Sequence, residues 1–340
     1  MQKTIYVVDD SDTNLSVAKD ALRDQYRVMT LPSASKMFAL LERIKPDLIL
    51  LDIEMPGMDG FEALHRLKGD GLHADIPVIF LTSMTDASVE VRGFQLGVVD
   101  FITKPFSAPV LQNRIKTHLN IDEMIRERTA KLERLQNGLV HVVADMVENR
   151  DKDTGGHIAR TTTYMRILME AMLESGVYAD EIRDIDFDLF VSSARLHDVG
   201  KICISDKILN KPGKLDDEEF AVMKTHAAEG ERIIGQIASH TGDDEAFLSN
   251  AKLFAGYHHE RWDGKGYPYG LDGESIPLQG RVMAFVDVYD ALVSERPYKK
   301  PFTHEEAMGI IMENAGTQFD PAIAEVFGGV GGQLERVRLN

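Results

Sequence analysis

TIYVVDD, residues 4–10, sets five β-branched or aromatic residues directly before two aspartates. A run this apolar leaves no wet face, so it reads as a buried strand with its acids at the carboxyl end. Two further runs repeat the plan. DLILLD (47–52) ends on Asp52 and PVIFLT (77–82) ends on Thr82, while Lys104 follows the short DFI run. Between the runs, NLSVAKDALRD and ASKMFALLERI carry helical spacing. Strands alternating with helices predict a doubly wound parallel sheet over residues 1–120, with ligand sites beyond the carboxyl ends of its strands. That edge collects Asp9, Asp10 and Asp52. Three carboxylates suit a hard cation such as Mg²⁺, and a nearby threonine and lysine could hold a phosphoryl group carried by one of them. A single strand-end aspartate would be a loop cap. The set is more than that.

The order DD, D, T and K-P resembles the receiver domain of two-component response regulators, over about 120 residues. The resemblance implies a five-stranded parallel sheet, Mg²⁺ held by Asp9, Asp10 and Asp52, and Asp52 as the phosphoacceptor. It implies Thr82, Phe101 and Lys104 as the switch residues, a cis bond before Pro105, and a cognate sensor histidine kinase as the phosphoryl donor.

Composition bounds the remainder. The 340 residues, 44% of them hydrophobic, suffice for two cored domains. A formal charge of −17 argues against broad binding to nucleic acid or an anionic membrane. Any anionic ligand therefore needs local cations. Cys203 is the only cysteine, which excludes an intrachain disulfide and suits a reducing compartment. No signal-like segment or membrane-length apolar run occurs, so the expected location is cytoplasmic.

Residues 121–138 read as a helical connector. Ile125, Leu132, Leu139 and Met146 recur every seven residues, and Leu135 and Val142 supply a second seam interrupted by Arg128. Such heptads predict a parallel homodimer; the alternative is an amphipathic helix packed on its own domain. Residues 139–328 read as nearly all helical, and 329–340 as a flexible glycine-rich tail.

Chemistry concentrates in that helical stretch. ARLHDVGKI brings His197 and Asp198, MKTH brings His226, AGYHHE brings His258 and His259, MAFVDVYDAL brings Asp287 and DTGGHIAR brings His157. One histidine on an apolar helix is usually a satisfied core residue. Seven nitrogen and oxygen donors on five segments instead suit Fe, Mn, Zn, Co or Ni. If Asp198 bridged two octahedral metals, room would remain for water and a phosphate, the layout of two-metal hydrolysis. If helical, His258 and His259 would point about 100° apart and could serve different metals.

HDVGKICISDKILNKPGKL, MKTH, HHERWDGKGYPYGLDG, DVYDAL and RPYK, in this order, resemble the HD-GYP family of cyclic dinucleotide phosphodiesterases across the whole second domain. The resemblance implies an all-α HD-type metallohydrolase domain whose metal ligands are His157, His197, Asp198, His226, His258, His259 and Asp287. It implies two divalent transition metals, Fe or alternatively Mn, and a catalytic Asp198. Lys201 matches a position that contacts substrate phosphate or protonates the leaving group. Gly266, Tyr267 and Pro268 form the loop that names the family, and Arg296 and Lys299 match its phosphate-contacting cations. Some members hold a third metal through a glutamate four residues before the first histidine; Asp153 stands there, one methylene shorter. The expected reaction is hydrolysis of cyclic di-GMP to pGpG and onward to GMP, under control of Asp52 phosphorylation. Diguanylate cyclases of the GGDEF type are implied partners. Two alternatives remain open: cleavage of another 3′,3′-cyclic dinucleotide such as cyclic GMP-AMP, and a non-catalytic adaptor acting through the GYP surface.

Overall fold

A computed structural model of the chain describes residues 2–83, 87–150, 156–241, 246–295 and 300–339. The chain divides into two units, 1–133 and 134–340.

The first unit is built on five parallel strands: β1 (Thr4–Val8), β2 (Arg27–Leu31), β3 (Leu48–Asp52), β4 (Val78–Thr82) and β5 (Asp100–Thr103), in the order β2-β1-β3-β4-β5. The three apolar runs are β1, β3 and β4, and every residue in them is buried. Helices α1 (Asp12–Leu22), α2 (Ala34–Leu41), α3 (Gly60–Lys68) and α4 (Ala87–Gln95) fill the crossovers. Ser11, Ser33 and Asp59 cap the first three, each accepting a backbone N–H in the first turn. Strand order reverses between β1 and β3, which puts Asp9 and Asp52 side by side at the switch point.

Helix α5 runs unbroken from Ala108 to Arg150, so the connector is not a separate element and the division between units falls inside a helix. In the first unit α5 buries Leu111, Ile115 and Leu119. Further along it buries Ala144 and Val147. Its heptad positions lie elsewhere: Ile125, Leu132, Leu135, Leu139, Val142 and Met146 are each more than half exposed.

The second unit continues with α6 (His157–Ser175), α7 (Ala179–Ile182), α8 (Phe187–Ala194), a 3-10 helix (Val199–Cys203) and α9 (Asp206–Leu209). After these come α10 (Asp217–Thr241), α11 (Ala246–Tyr257), α12 (Leu278–Val293), α13 (His304–Glu313), α14 (Pro321–Gly329) and α15 (Gly331–Leu339). Its principal core joins Tyr164, Phe190, Phe254, Phe285, Tyr289 and Phe327 from five of these helices. The tail expected to be flexible is α15. Val330 and Leu334, one turn apart, supply an apolar edge that the core takes in, and Leu334 is fully buried. Among the described residues no helix is long and apolar enough to cross a membrane.

Candidate active site and phosphoacceptor pocket

In the first unit Asp9, Asp10 and Asp52 bring carboxylate oxygens within 4.8 Å of one another. Lys104 Nζ stands 2.7 Å from both Asp9 Oδ2 and Asp52 Oδ1, so one ammonium holds the two buried acids together. Burial pushes the Asp52 carboxyl above its ordinary range, and Lys104 opposes that rise. Asp9 also accepts from the Ser11 N–H and the Asn14 amide, which fixes its rotamer. Thr82 is buried at the end of β4, where its carbonyl accepts the Lys104 N–H at 2.8 Å. Phe101 packs its ring 5.6 Å from Phe80 and 5.1 Å from Phe94. The Lys104–Pro105 bond is cis. Three acids, a cation and an exposed rim suit a divalent ion beside a phosphorylated carboxylate.

The second unit assembles its donors from α6, α10, α12 and the segments after α8 and α11. His197 and Asp198 lie in the turn that follows α8. His226, His258 and His259 place ring nitrogens within 4.8 Å of one another, as do His157 and His197 with an Asp198 oxygen. Asp198 lies between the sets: Oδ1 is 3.4 Å from His226 Nε2 and 3.7 Å from His258 Nε2, and Oδ2 is 3.4 Å from His197 Nε2. Asp287 Oδ1 closes the second set, 3.4 Å from His157 Nε2.

The proton positions follow from the outer contacts. His197 donates its Nδ1–H to the Ala194 carbonyl, His226 to Met223, and His258 to Phe254 and Ala255. Each Nε2 therefore carries a lone pair into the site. Nε2 of His226 and Nε2 of His258 face each other at 3.2 Å with no proton to share. Nε2 of His197 is buried without a hydrogen-bond partner. Opposed lone pairs and an orphaned buried acceptor are unfavourable unless a cation lies among them. The donors present fit two metal ions.

The electrostatics agree at His226, His258 and His259. Burial, then the neighbouring His197 and His226, push His258 down to about 3. Burial likewise lowers His226 and His259, so all three are neutral near pH 7 and ready to ligate. At His197 burial acts downward, but the charges of Asp198 and Asp287 outweigh it. Asp198 is the reverse case: burial would raise its carboxyl, and Lys201 with His197 holds it well below the usual range.

The helical premise on which His258 and His259 could serve different metals does not hold. The pair follows the last turn of α11 rather than lying within it, and both rings join His226 in one set, their centroids 4.0 Å apart. Beyond them the GYP loop folds back. A Cβ on Gly266 would lie 2.4 Å from the Arg261 nitrogen and 2.5 Å from the Glu260 Cα, so only glycine permits this approach. The Tyr267 ring then lies 4.7 Å from that of His259, tilted by 32°, and Pro268 follows through a cis bond. Lys201 Nζ is 2.8 Å from Asp198 Oδ2. Asp153, Arg296 and Lys299 lie outside the described residues.

Several supporting residues escaped the sequence reading. Asp290, fully buried, accepts from His157 Nδ1 at 2.8 Å and pairs with Arg160 at 2.7 Å. Its spacing of three from Asp287 on one helix was the available signal. Buried Glu260 accepts from the backbone of Tyr269, Gly270 and Leu271, pinning the GYP loop. Glu148, at the end of α5, accepts the His157 N–H at 2.7 Å. Arg150 donates to the carbonyls of Ile202 and Ile204, just beyond Lys201. The last turn of α5 thus touches α6 and the segment that follows Asp198, two of the three that carry the second donor set.

Comparison with known proteins agrees with both halves of this description. Residues 5–116 match the response regulator receiver domain model and residues 141–323 match the HD domain model. A Vibrio cholerae protein named "Probable cyclic di-GMP phosphodiesterase" is 39% identical, covering 96% of this chain and 77% of its own. The cyclic di-GMP phosphodiesterase response regulator RpfG of Xanthomonas campestris is 34% identical, covering 98% of this chain and 89% of its own. A 3′3′-cGAMP-specific phosphodiesterase 2 of Vibrio cholerae is 37% identical over 62% of this chain and 37% of its own. The chain belongs to the family of response regulators that join an N-terminal receiver domain to a C-terminal HD domain.

Proposed function

We propose that this protein is a phosphorylation-controlled, metal-dependent phosphodiesterase that opens cyclic di-GMP to linear pGpG and carries it on to GMP. The observation that carries the reading is the convergence of Nε2 lone pairs, with His226 and His258 opposed at 3.2 Å across an acidic bridge. His226, His258 and His259 would hold one divalent ion, His157, His197 and Asp287 the other, with Asp198 between them. Mixed imidazole and carboxylate donors suit iron or manganese. When bound, the cations supply Lewis-acid polarisation of the phosphodiester and a water of lowered pKa.

The chain's own groups do the rest. Water adds to phosphorus, the bond to O3′ breaks, and a proton must reach that oxygen. Lys201 is the donor for it, an ammonium 2.8 Å from Asp198 with no lone pair to spend on a metal. Asp290 orients the His157 ring, and Tyr267 covers His259 and limits water. In the receiver, a sensor kinase supplies the phosphoryl group to Asp52, with Mg²⁺ held by Asp9, Asp10 and Asp52 and the product read by Thr82, Lys104 and Phe101. The exposed heptad of α5 is apolar in a self-complementary register, so two copies pair along it.

Metal-loaded protein incubated with cyclic di-GMP, cyclic di-AMP and 3′,3′-cyclic GMP-AMP, with products identified by mass, tests the reading. Cyclic di-GMP should yield pGpG, and Asp198→Ala should lose both metal and turnover while its receiver still accepts phosphate. Full activity of that variant at unchanged metal stoichiometry would overturn the assignment.

A further inference from the structure

A cavity of about 310 Å³ opens beside His258 and His259. Its charged wall residues are Lys224, Glu260, Arg261 and Lys265. Three of the four are already matched. Glu260 is occupied by three backbone N–H groups of the GYP loop. Arg261 is bidentate to Asp263 at 3.0 Å and reaches Gln318 at 3.2 Å, and Lys265 shares the same aspartate at 3.8 Å. Lys224 has no anionic partner among the described residues. Its ammonium stands 5.3 Å from the centre of the Phe220 ring, one turn back on α10, and 6.0 Å from that of Tyr267. Aromatic faces hold a cation in place without neutralising it. In a chain of net charge −17, an unmatched ammonium held beside a metal-ligand cluster is a site waiting for an anion.

A cyclic dinucleotide carries two phosphodiesters, and only one can be in reaction at the donor clusters. The other needs a cation of its own. Resting on the phosphodiesterase reading above, we propose that Lys224, flanked by Phe220 and Tyr267, is a second anion subsite that takes the non-scissile phosphate and so selects cyclic dinucleotides over simple diesters. Binding there is the same in the ground state and the transition state, so it acts on KM and not on kcat.

The test compares wild type, Lys224→Met and Lys224→Arg on two substrates: cyclic di-GMP, and bis(p-nitrophenyl) phosphate, which has a single diester. Lys224→Met should raise KM for cyclic di-GMP about 10- to 100-fold, the range of a charged hydrogen bond. Its kcat should stay within about twofold and its metal content unchanged. Lys224→Arg should recover most of the affinity, and neither change should alter hydrolysis of the single diester. An unchanged KM in a wild-type background that turns over cyclic di-GMP overturns the subsite alone. Equal losses on both substrates overturn it too, since they would place Lys224 at the reacting phosphate. A wild type inert toward every cyclic dinucleotide would instead sink the phosphodiesterase reading and the subsite with it.

Discussion

Gly200 sits between Asp198 and Lys201 in the 3-10 helix that lies against α10. A Cβ added there would stand 1.9 Å from the His226 carbonyl oxygen, 2.5 Å from the Gly230 nitrogen and 2.9 Å from the His226 carbonyl carbon. All three neighbours are backbone, so no side chain can rotate away. Ordinary contact begins at 3.4 Å, and Gly200→Ala must push the two segments roughly 1.5 Å apart or distort them. The displaced segment carries Asp198, and the helix it leaves carries His226, whose Nε2 is 3.4 Å from Asp198 Oδ1. Overpacking of this kind costs about 1–3 kcal/mol, and an ångström of misplacement at a reacting centre costs about 100-fold in rate. We expect kcat/KM on cyclic di-GMP to fall at least about 100-fold, metal occupancy to drop, and the second unit to melt roughly 2–12 °C lower. Gly235→Ala is the matched control, because it lies on the same helix with nothing within 4 Å of the new Cβ. It should be neutral, or more stable by up to about 1 kcal/mol. Metal analysis, steady-state kinetics and calorimetry on both variants decide the matter. Should Gly200→Ala behave like Gly235→Ala in all three, the close approach of the two segments does not organise the site.

Two further outcomes follow from the same geometry. Asp290→Asn removes the charge that orients His157 at 2.8 Å and should weaken metal binding about 10- to 100-fold in chelator competition; unchanged affinity would show that Asp290 serves only Arg160. Beryllium trifluoride at Asp52, confirmed bound at saturating Mg²⁺, should change hydrolysis about 5- to 150-fold, and Asp52→Asn should abolish the response while sparing basal activity. The path on hand is α5, whose last turn holds His157 through Glu148 and the segment after Lys201 through Arg150. Equal rates with and without the mimic would mean that the receiver does not gate the enzyme.

Strands whose every residue is buried announce themselves in sequence, which is why β1, β3 and β4 and the acids at their ends were legible from TIYVVDD, DLILLD and PVIFLT. Strand β2, RVMTL, is an edge strand with a partly exposed pattern, and no single-sequence periodicity marks it. The donor inventory of the second unit was equally readable, because imidazoles and carboxylates are chemically distinctive wherever they fall. What sequence could not supply is distance. It allowed His258 and His259 separate metals if they were helical, whereas α11 ends at Tyr257 and the turn that follows swings both rings toward His226. It read the glycine-rich tail as loose, whereas Leu334 finds a core that only the packing of distant helices creates. It passed over Asp290, Glu148 and Lys224, whose significance lies in a partner brought up by the fold or, among the described residues, in the lack of an anionic one. Local composition determined the elements and the kinds of ligand, since these depend on neighbours in sequence. Tertiary packing alone decided which lone pairs face one another and which cation, among the described residues, is left without an anion, because those are properties of separation in space.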